Sequence, residues 1–335
     1  MKIAVVVNTS WNIYNFRKNF IDQLIQQGHE VHTIAPIDDH TRLLTEAGCI
    51  HHRIKMDSRG ANPIKDSALI VELWMIYRKV SPDVILHYTI KPNVYGTLAA
   101  SMLGIPVINN VCGLGTIFLK KDLVSAIAML LYRISFRFAS KVFFQNPDDL
   151  RLFVNEKLVS SEVADLLPGS GIDLSRFVPL AYRRNEKFTF LMISRLITDK
   201  GVLEYIAAVK TLKKSGVDAR FQILGPPDPK HKRGIKTQVI EEWIESDTIQ
   251  YLGTTNDVRQ YIEQADCIVL PSYREGTPRT LLEAASSAKP IIATDVPGCN
   301  HVVVDQHNGL LCRIKDANDL AEKMKQLVSF DDATV

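Results

Sequence analysis

The chain has 335 residues, of which 46% are hydrophobic and 23% charged, and its formal net charge is +3. These values are typical of a soluble globular protein with two domains, and so small a charge gives no reason to expect a nucleic-acid partner. The five cysteines show no CxxC spacing, which argues against a disulfide scaffold or a structural zinc site and favours a reducing, cytoplasmic compartment.

Apolar, β-branched runs alternate with helical periodicity along the first half of the chain. The predicted strands are residues 3–7, 31–35, 84–87, 107–111 and 142–144. The predicted helices between them are residues 16–25, 70–80 and 93–103. Runs that are apolar throughout indicate parallel strands covered on both faces. We therefore predict a doubly wound α/β domain over residues 1–168.

A stretch rich in glycine, proline and charge follows, and it predicts a linker at residues 169–184. The alternation then resumes in a second predicted domain, residues 185–335. Its predicted strands are residues 188–193, 221–224, 268–270 and 291–293. Its predicted helices are residues 202–212, 239–244, 279–287 and 320–328. Two such domains predict a ligand cleft between them, at the carboxyl ends of the strands.

The segment from Ser272 to Glu283 carries the most specific signal. It connects a predicted strand to a predicted helix, with Pro278 in the first helical turn, and free backbone N–H groups at a helix start suit a phosphate. Glu275 lies in the loop and Glu283 inside the helix. Either glutamate alone is more simply explained as a solvated charge. Together, they predict a nucleotide sugar, with one carboxylate on ribose hydroxyls and the other on sugar hydroxyls.

Two cations flank another strand–helix turn in the same domain. Arg195 lies at the end of the 188–193 strand, and Lys200 lies at the start of the next helix. With a helix dipole behind them, they suit a diphosphate. Basic residues in loops are usually only solvated, so this prediction depends on their place beside the glutamate pair.

These segments match a known family. SRLITDKG, EGTPRTLLEA, KPIIATDVPGCNHVV and NGLL resemble the retaining glycosyltransferases of family 4, whose GT-B fold has two Rossmann-like domains. HYTIKPNVYG and NNVCGLGTIF resemble a narrower bacterial group that extends undecaprenyl-diphosphate-linked sugars. The resemblance implies transfer from a UDP-sugar to a lipid-linked sugar for capsule or lipopolysaccharide, at the inner face of the cell membrane. The family's final helix, which crosses back to the first domain, has no counterpart before Val335.

The resemblance also implies roles for matched residues. Arg195 and Lys200 would bind the donor diphosphate and stabilise it as it leaves. Glu283 would bind the ribose, and Glu275 would bind the transferred sugar. The other implied donor contacts are Gly276, Thr277, Thr280 and Gly225.

No Asp-x-Asp pair, which holds a metal ion in the other main glycosyltransferase fold, occurs in the sequence. We therefore expect neither a metal nor another cofactor, with cationic side chains neutralising the leaving group. The family's His–Gly pair corresponds here to Cys112 and Gly113, so no catalytic histidine is assigned. His87 is an alternative, although a structural role is favoured for it.

The acceptor is assigned to the first domain on weaker signals. Asn12 follows the first predicted strand and Lys91 follows the 84–87 strand, so both would face the cleft. Gly113 would allow the backbone to approach a ligand closely. A capped helix start explains the residues around Asn12 nearly as well, and a tight turn explains Gly113.

Residues 118–139 combine apolar and aromatic residues with Lys120, Lys121, Arg133 and Arg137. A basic amphipathic helix of this kind suits an anionic membrane surface. A core-packing helix with a solvated charged face is the alternative. We predict membrane contact by these four cations because the acceptors implied by the resemblance are lipid-linked.

Two other functions stay open. A UDP-sugar epimerase of the same fold would need an acid–base pair at the sugar carbon, and none is evident. An inactive nucleotide-sugar-binding protein would bind UDP without transferring a sugar. A nicotinamide dehydrogenase is disfavoured, because the first strand is not followed by Gly-x-Gly-x-x-Gly.

Overall fold

A computed structural model describes residues 1–57, 62–114, 123–179, 181 and 184–330. The chain divides into two compact units, Met1–Ser170 and Gly171–Val335. Each unit contains one sheet in which every strand pair is parallel. The α/β class of two doubly wound, Rossmann-like domains is thus confirmed. No helix within the described ranges combines the length and the hydrophobicity that crossing a bilayer requires.

The first sheet has the strand order β3-β2-β1-β4-β5-β6-β7. Its strands are β1 (Lys2–Val6), β2 (Glu30–Ala35), β3 (Ile50–Arg53), β4 (Val84–Tyr88), β5 (Val107–Val111), β6 (Lys141–Phe144) and β7 (Ala164–Leu166). Alternate residues of β1 enter different cores, with Ala4 and Val6 in one and Ile3 and Val5 in the other. The sheet is therefore covered on both faces, which explains why its central strand β1 is apolar from Ile3 to Val6.

Helices of the first unit pack against these two cores and against a third core, which contains Tyr132 and Phe153. They are α1 (Ser10–Gln26), α2 (Thr41–Glu46), α3 (Pro63–Val80), α4 (Thr97–Ser101), α5 (Leu123–Ser135) and α6 (Pro147–Asn155). The helix predicted over residues 93–103 is instead a π-helical turn, Pro92–Gly96, followed by α4. A Cβ atom at Gly96 would lie 2.5 Å from His87 Nε2, so glycine lets this turn approach β4 closely.

The second sheet has the order β10-β9-β8-β11-β12-β13. Its strands are β8 (Phe188–Ile193), β9 (Ala219–Leu224), β10 (Gln250–Tyr251), β11 (Cys267–Leu270), β12 (Ile291–Thr294) and β13 (Gly309–Cys312). The helices are α7 (Val202–Lys214), α8 (Thr237–Glu245), α9 (Arg259–Gln264), α10 (Arg279–Ser286) and α11 (Ala317–Ser329). Phe190 and Leu191 of β8 enter cores on opposite faces, so this sheet too is doubly covered.

The predicted linker, residues 169–184, mostly belongs to the second unit. The two units separate between Ser170 and Gly171. Phe177 is buried in a core of the second unit, and its carbonyl oxygen accepts a 2.5 Å hydrogen bond from the Ser286 hydroxyl. The composition of the segment does not predict this packing, because one buried aromatic residue is enough to fix an otherwise polar segment to the second unit.

Both sheets reverse their strand order at one point. The reversal lies between β1 and β4 in the first sheet and between β8 and β11 in the second. Helices on either side of such a switch point leave opposite faces of the sheet, which opens a crevice at the carboxyl ends of the strands. These two points are therefore where ligand-binding residues are expected.

Candidate functional site

The loops after β8 and β11 meet at the switch point of the second sheet. The Ser272 hydroxyl and the Tyr273 N–H group both donate to the Asp199 carbonyl oxygen, at 3.2 and 2.9 Å. Gly201 has φ +72°, and a Cβ atom there would lie 2.0 Å from the carbonyl oxygen of Pro271. Glycine is therefore required for the two loops to approach so closely.

Lys200 and Glu275 form an ion pair across this junction. Lys200 Nζ donates to Glu275 Oε1, and the two side chains are 21% and 12% exposed. The ammonium group can bind phosphate oxygens, and the carboxylate can accept hydrogen bonds from sugar hydroxyls. The structure thus brings together two residues that the sequence predicted from separate segments.

A third loop supports Glu275 from behind. The Glu275 N–H group donates to the Pro297 carbonyl oxygen at 3.2 Å. Gly298 has φ +88°, and a Cβ atom there would lie 2.6 Å from the carbonyl oxygens of both Glu275 and Gly276. Sequence reasoning missed the role of Gly298, although its Pro-Gly dipeptide after a strand was a signal for a tight turn.

Glu283 lies one turn inside α10 and is buried. Arg279 Nε donates to Glu283 Oε1 at 2.9 Å. Burial raises the pKa of Glu283 to about 7, although the Arg279 guanidinium acts in the opposite direction. Pro278 precedes the helix instead of lying in its first turn, because its extended backbone (ψ 116°) places it at the N-cap.

The ends of β8 and β9 place Arg195 and Gly225 near each other. Arg195 is exposed, and its side chain has no ion pair or hydrogen bond with a described residue. Gly225 has φ +145°, and a Cβ atom there would lie 1.9 Å from the carbonyl oxygen of Ser194.

Thr280 Oγ1 donates to the Ile193 carbonyl oxygen at 3.4 Å, and this hydrogen bond connects α10 to the end of β8. Gly276 and Thr277 lie in the loop between Glu275 and α10.

The predicted acceptor residues of the first unit lie at its own switch point. Asn12 is in the first turn of α1, where its N–H group donates to Thr9 Oγ1 at 3.1 Å. Gly113 follows β5 and has φ +110°. Arg17, which the sequence did not single out, lies between them: it donates to Asn12 Oδ1 at 2.5 Å and to Cys112 Sγ at 3.6 Å.

Lys91 is held by an ion pair that the sequence did not predict. Its Nζ lies 2.8 Å from Asp66 Oδ1, and the side chains of Lys91 and Asp66 are only 14% and 6% exposed. The Tyr95 hydroxyl also donates to Asp66, at 3.0 Å. This network favours a structural role for Lys91 over the predicted contact with the acceptor.

His87 is fully buried at β4. Its Nε2 lies 2.8 Å from the Tyr77 hydroxyl, and its Nδ1 lies 3.1 Å from Asn109 Oδ1. Burial lowers the pKa of His87 to about 3, so the imidazole is neutral at physiological pH. These contacts favour the structural role that the sequence analysis preferred.

Comparison with known proteins identifies the family to which the chain belongs. A family model of group 1 glycosyl transferases matches residues 181–333, and a glycosyl transferase 4-like model matches residues 2–146. The chain is a glycosyltransferase of the family 4 type. The predicted enzyme class is confirmed, and the matched ranges include both switch points.

Two curated relatives are similar to this glycosyltransferase. The N,N′-diacetylbacillosaminyl-diphospho-undecaprenol α-1,3-N-acetylgalactosaminyltransferase of Campylobacter jejuni is 29% identical, over 98% of this chain and 89% of the relative. An Escherichia coli UDP-Gal:α-D-GlcNAc-diphosphoundecaprenol α-1,3-galactosyltransferase is 26% identical, over 77% of this chain and 69% of the relative.

Solved structures share the fold. A glycosyltransferase from Rickettsia africae has a TM-score of 0.77 at 19% identity and matches 98% of this chain and 88% of its own. Anabaena HepE, crystallised with UDP and glucose, has a TM-score of 0.78 at 16% identity and matches 100% of this chain and 91% of its own. These likenesses confirm the predicted GT-B class.

Helix α5 of the glycosyltransferase exposes an apolar face. Five large apolar side chains lie on this face at helical spacing, and the last of them follows the end of α5. They are Leu123, Ile127, Leu130, Ile134 and Phe138. Arg133 and Arg137 are exposed beside them, whereas Lys120 and Lys121 lie outside the described residues. The other side of α5 packs into a core of the first unit through Tyr132.

Proposed function

We propose that this glycosyltransferase moves a hexose or N-acetylhexosamine from a UDP-sugar to a lipid-diphosphate-linked sugar during the synthesis of bacterial surface glycans. The Lys200–Glu275 ion pair carries the proposal, because it sets a cation for a diphosphate beside a carboxylate for a sugar. The names of the Campylobacter jejuni and Escherichia coli relatives support the lipid acceptor, and the UDP-bound Anabaena structure supports the donor.

Arg195 and Lys200 are proposed to bind the diphosphate and to stabilise its charge as the sugar leaves. The exposed guanidinium of Arg195 has no acidic partner among the described residues, so it is available to an incoming anion. Lys200 would share its ammonium group between Glu275 and the phosphate oxygens. Fixed cations of this kind favour the transition state, since the charge they stabilise develops as the bond breaks.

Glu275 is proposed to hold the transferred sugar, and Glu283 the ribose. Carboxylates suit both tasks, because each oxygen accepts hydrogen bonds from adjacent hydroxyl groups. The remaining donor contacts are proposed for Gly276, Thr277, Thr280 and Gly225. We also propose that transfer retains the anomeric configuration and needs no metal ion. Turnover unaffected by EDTA is the result expected of a metal-independent reaction.

A transfer assay tests the proposed function. Vesicles containing an undecaprenyl-diphosphate-linked sugar would be incubated with UDP-N-acetylgalactosamine, UDP-galactose or UDP-N-acetylglucosamine, and the lipid products analysed by mass spectrometry. We expect the lipid to gain one sugar from one of these donors. Conversion of the UDP-sugar alone to an epimer would instead identify an epimerase. Binding of UDP without any transfer would identify an inactive binding protein.

We further propose that the enzyme binds the inner face of the cell membrane through α5. The exposed apolar face of α5 would enter the interfacial region of the membrane, while Arg133 and Arg137 would contact anionic lipid headgroups. Arg133 Nη2 also donates to the Glu156 carbonyl oxygen at 2.9 Å, which leaves its charge unneutralised.

A flotation assay tests this membrane contact. The full chain should float with vesicles of anionic lipid, and Leu130→Glu should reduce the bound fraction strongly, because a charge would then enter the interface. Ile64→Glu is the matched control, since Ile64 is 83% exposed on α3 of the same unit. Equal loss for both variants, or no flotation of the wild-type chain, would contradict the proposal.

A further inference from the structure

Arg17 is a buried cation without an anionic partner. It is 7% exposed, and no described residue forms an ion pair with it. Its Nη1 donates to the carbonyl and side-chain oxygens of Asn12, at 3.3 and 2.5 Å, and its Nη2 donates to Cys112 Sγ at 3.6 Å. Its Nε–H group is buried without an acceptor. Burying a charge under these conditions is unfavourable unless another group compensates it.

An aromatic ring compensates this charge in part. Arg17 Cζ lies 3.7 Å from the centroid of the Tyr88 ring, which is a close cation–π contact. Cation–π attraction is weaker than the hydration that a guanidinium loses on burial. The thiol of Cys112 is a weak acceptor. Arg17 therefore keeps both unused charge and an unused donor.

The position of Arg17 is that of a ligand-binding residue. It lies on α1, the helix that follows β1, while Tyr88 is the last residue of β4 and Cys112 follows β5 directly. These three strands are adjacent, and the switch point of the first sheet lies between β1 and β4. The Asn12 side-chain amide adds two N–H groups that donate to no described residue.

We infer that Arg17 is an anion-binding residue and that its ligand is a phosphate or diphosphate group. A guanidinium presents paired N–H donors that match two phosphate oxygens, and the neighbouring Asn12 amide extends this donor set. The site consists of first-unit residues only. On the proposed function, its occupant is the diphosphate of either the lipid-linked acceptor or the donor.

Calorimetry with inorganic pyrophosphate in metal-free buffer tests the site. The full chain is titrated with pyrophosphate after saturation with UDP, and with UDP alone. Arg17→Met removes the charge but keeps an unbranched side chain of similar length. Arg78→Met is the matched control, because Arg78 is exposed and its Cζ lies 5.3 Å from the centroid of the Trp74 ring on α3.

The two titrations separate the sources of the ligand. Pyrophosphate that binds the UDP-saturated chain about tenfold or more weakly in Arg17→Met, but not in Arg78→Met, places the acceptor diphosphate at Arg17. A similar loss of UDP affinity places the donor there. Unchanged binding in both titrations overturns the inference.

Folding of the variant is checked by circular dichroism. If Arg17→Met does not fold, Arg17→Lys takes its place, since it keeps the charge but loses the paired donors, and unchanged binding of both ligands again overturns the inference. Titration of the wild-type chain is informative without any variant. If the chain binds UDP but then binds no pyrophosphate, the acceptor diphosphate is excluded as the ligand of Arg17. Failure of sugar transfer with this binding intact would refute the proposed function and not the site.

Discussion

The two switch points of this glycosyltransferase each have a lysine nearby, and the structure uses them differently. Lys200, after β8, pairs with Glu275, and both side chains keep some exposure. Lys91, after β4, pairs with Asp66, which is almost fully buried and also accepts a hydrogen bond from Tyr95. The comparison shows what makes a lysine near a strand end a candidate for ligand binding. Its carboxylate partner must stay accessible to solvent, and other side chains must not already occupy that partner's hydrogen-bond acceptors.

Replacing Lys91 should have the largest effect, and on stability. Lys91→Met leaves Asp66 buried without its counter-ion, so we expect the free energy of unfolding to fall by about 3–5 kcal/mol. Urea denaturation measures this change. Lys65→Met is the control, because the Lys65–Asp57 pair is exposed and screened by solvent, so its loss should leave stability nearly unchanged. Equal stability of the two variants, with a raised KM for the acceptor, would restore Lys91 as a substrate ligand.

Replacing Lys200 should act on turnover instead. Lys200→Ala removes a fixed cation from the proposed diphosphate site, so the barrier should rise by about 2–4 kcal/mol. The transfer assay measures kcat at saturating UDP-sugar. Lys213→Ala is the control, because Lys213 forms an exposed surface pair with Asp247. Turnover of Lys200→Ala near that of Lys213→Ala would remove Lys200 from catalysis.

Gly201 tests whether the loop junction beside Lys200 is as tight as described. Gly201→Ala forces a Cβ atom against the Pro271 carbonyl oxygen and also strains φ, so we expect a loss of about 3 kcal/mol of stability. Gly216→Ala is the matched control: its φ is +77°, but nothing lies within 4 Å of the added Cβ atom, so about 1 kcal/mol is expected. Thermal unfolding compares them, and equal losses would refute the close contact.

Glu283 should make stability depend on pH. Its pKa is about 7 in the folded chain and near 4.5 when unfolded, so the folded state holds the proton more tightly. The contribution of Glu283 to stability should therefore fall as pH rises from 4.5 to 7, by on the order of 2–3 kcal/mol, while the buried His87 contributes in the opposite direction. The difference in the free energy of unfolding between the wild-type chain and Glu283→Gln isolates this contribution and should change over that range, whereas the difference between the wild-type chain and Glu322→Gln, at an exposed position on α11, should stay constant. Urea denaturation across this range measures both differences, and a difference for Glu283→Gln that does not change with pH contradicts the assignment.

The sequence predicted the central strands well and the edge strands poorly. Strands β1 and β8 are buried on both faces, so they contain apolar runs that stand out from their surroundings. Strands β3, β7, β10 and β13 were missed. β3 reads IHHR and β10 has only two residues, because an edge strand needs few apolar side chains and little length.

The site residues also differ in how well the sequence predicts them. Lys200, Glu275 and Glu283 lie in short segments whose residue types and spacing predict a donor site, so the sequence alone could single them out. Arg17 could not be found in that way. Its environment depends on Cys112, which is 95 residues distant in the chain, and on the Tyr88 ring. Contacts of that kind follow from the packing of the sheet and leave no local pattern.

The absence of any space beside Gly201 restricts how this enzyme can change. The Gly201–Pro271 contact joins the two loops that carry Lys200 and Glu275, so an insertion in either loop would displace both charged groups together. If these loops bind the donor as proposed, new donor preferences are therefore easier to reach by exchanging single side chains around a fixed backbone than by remodelling a loop. Libraries that diversify positions 276–280 while preserving residues 199–201 should retain far more folded, active variants than libraries that vary loop length.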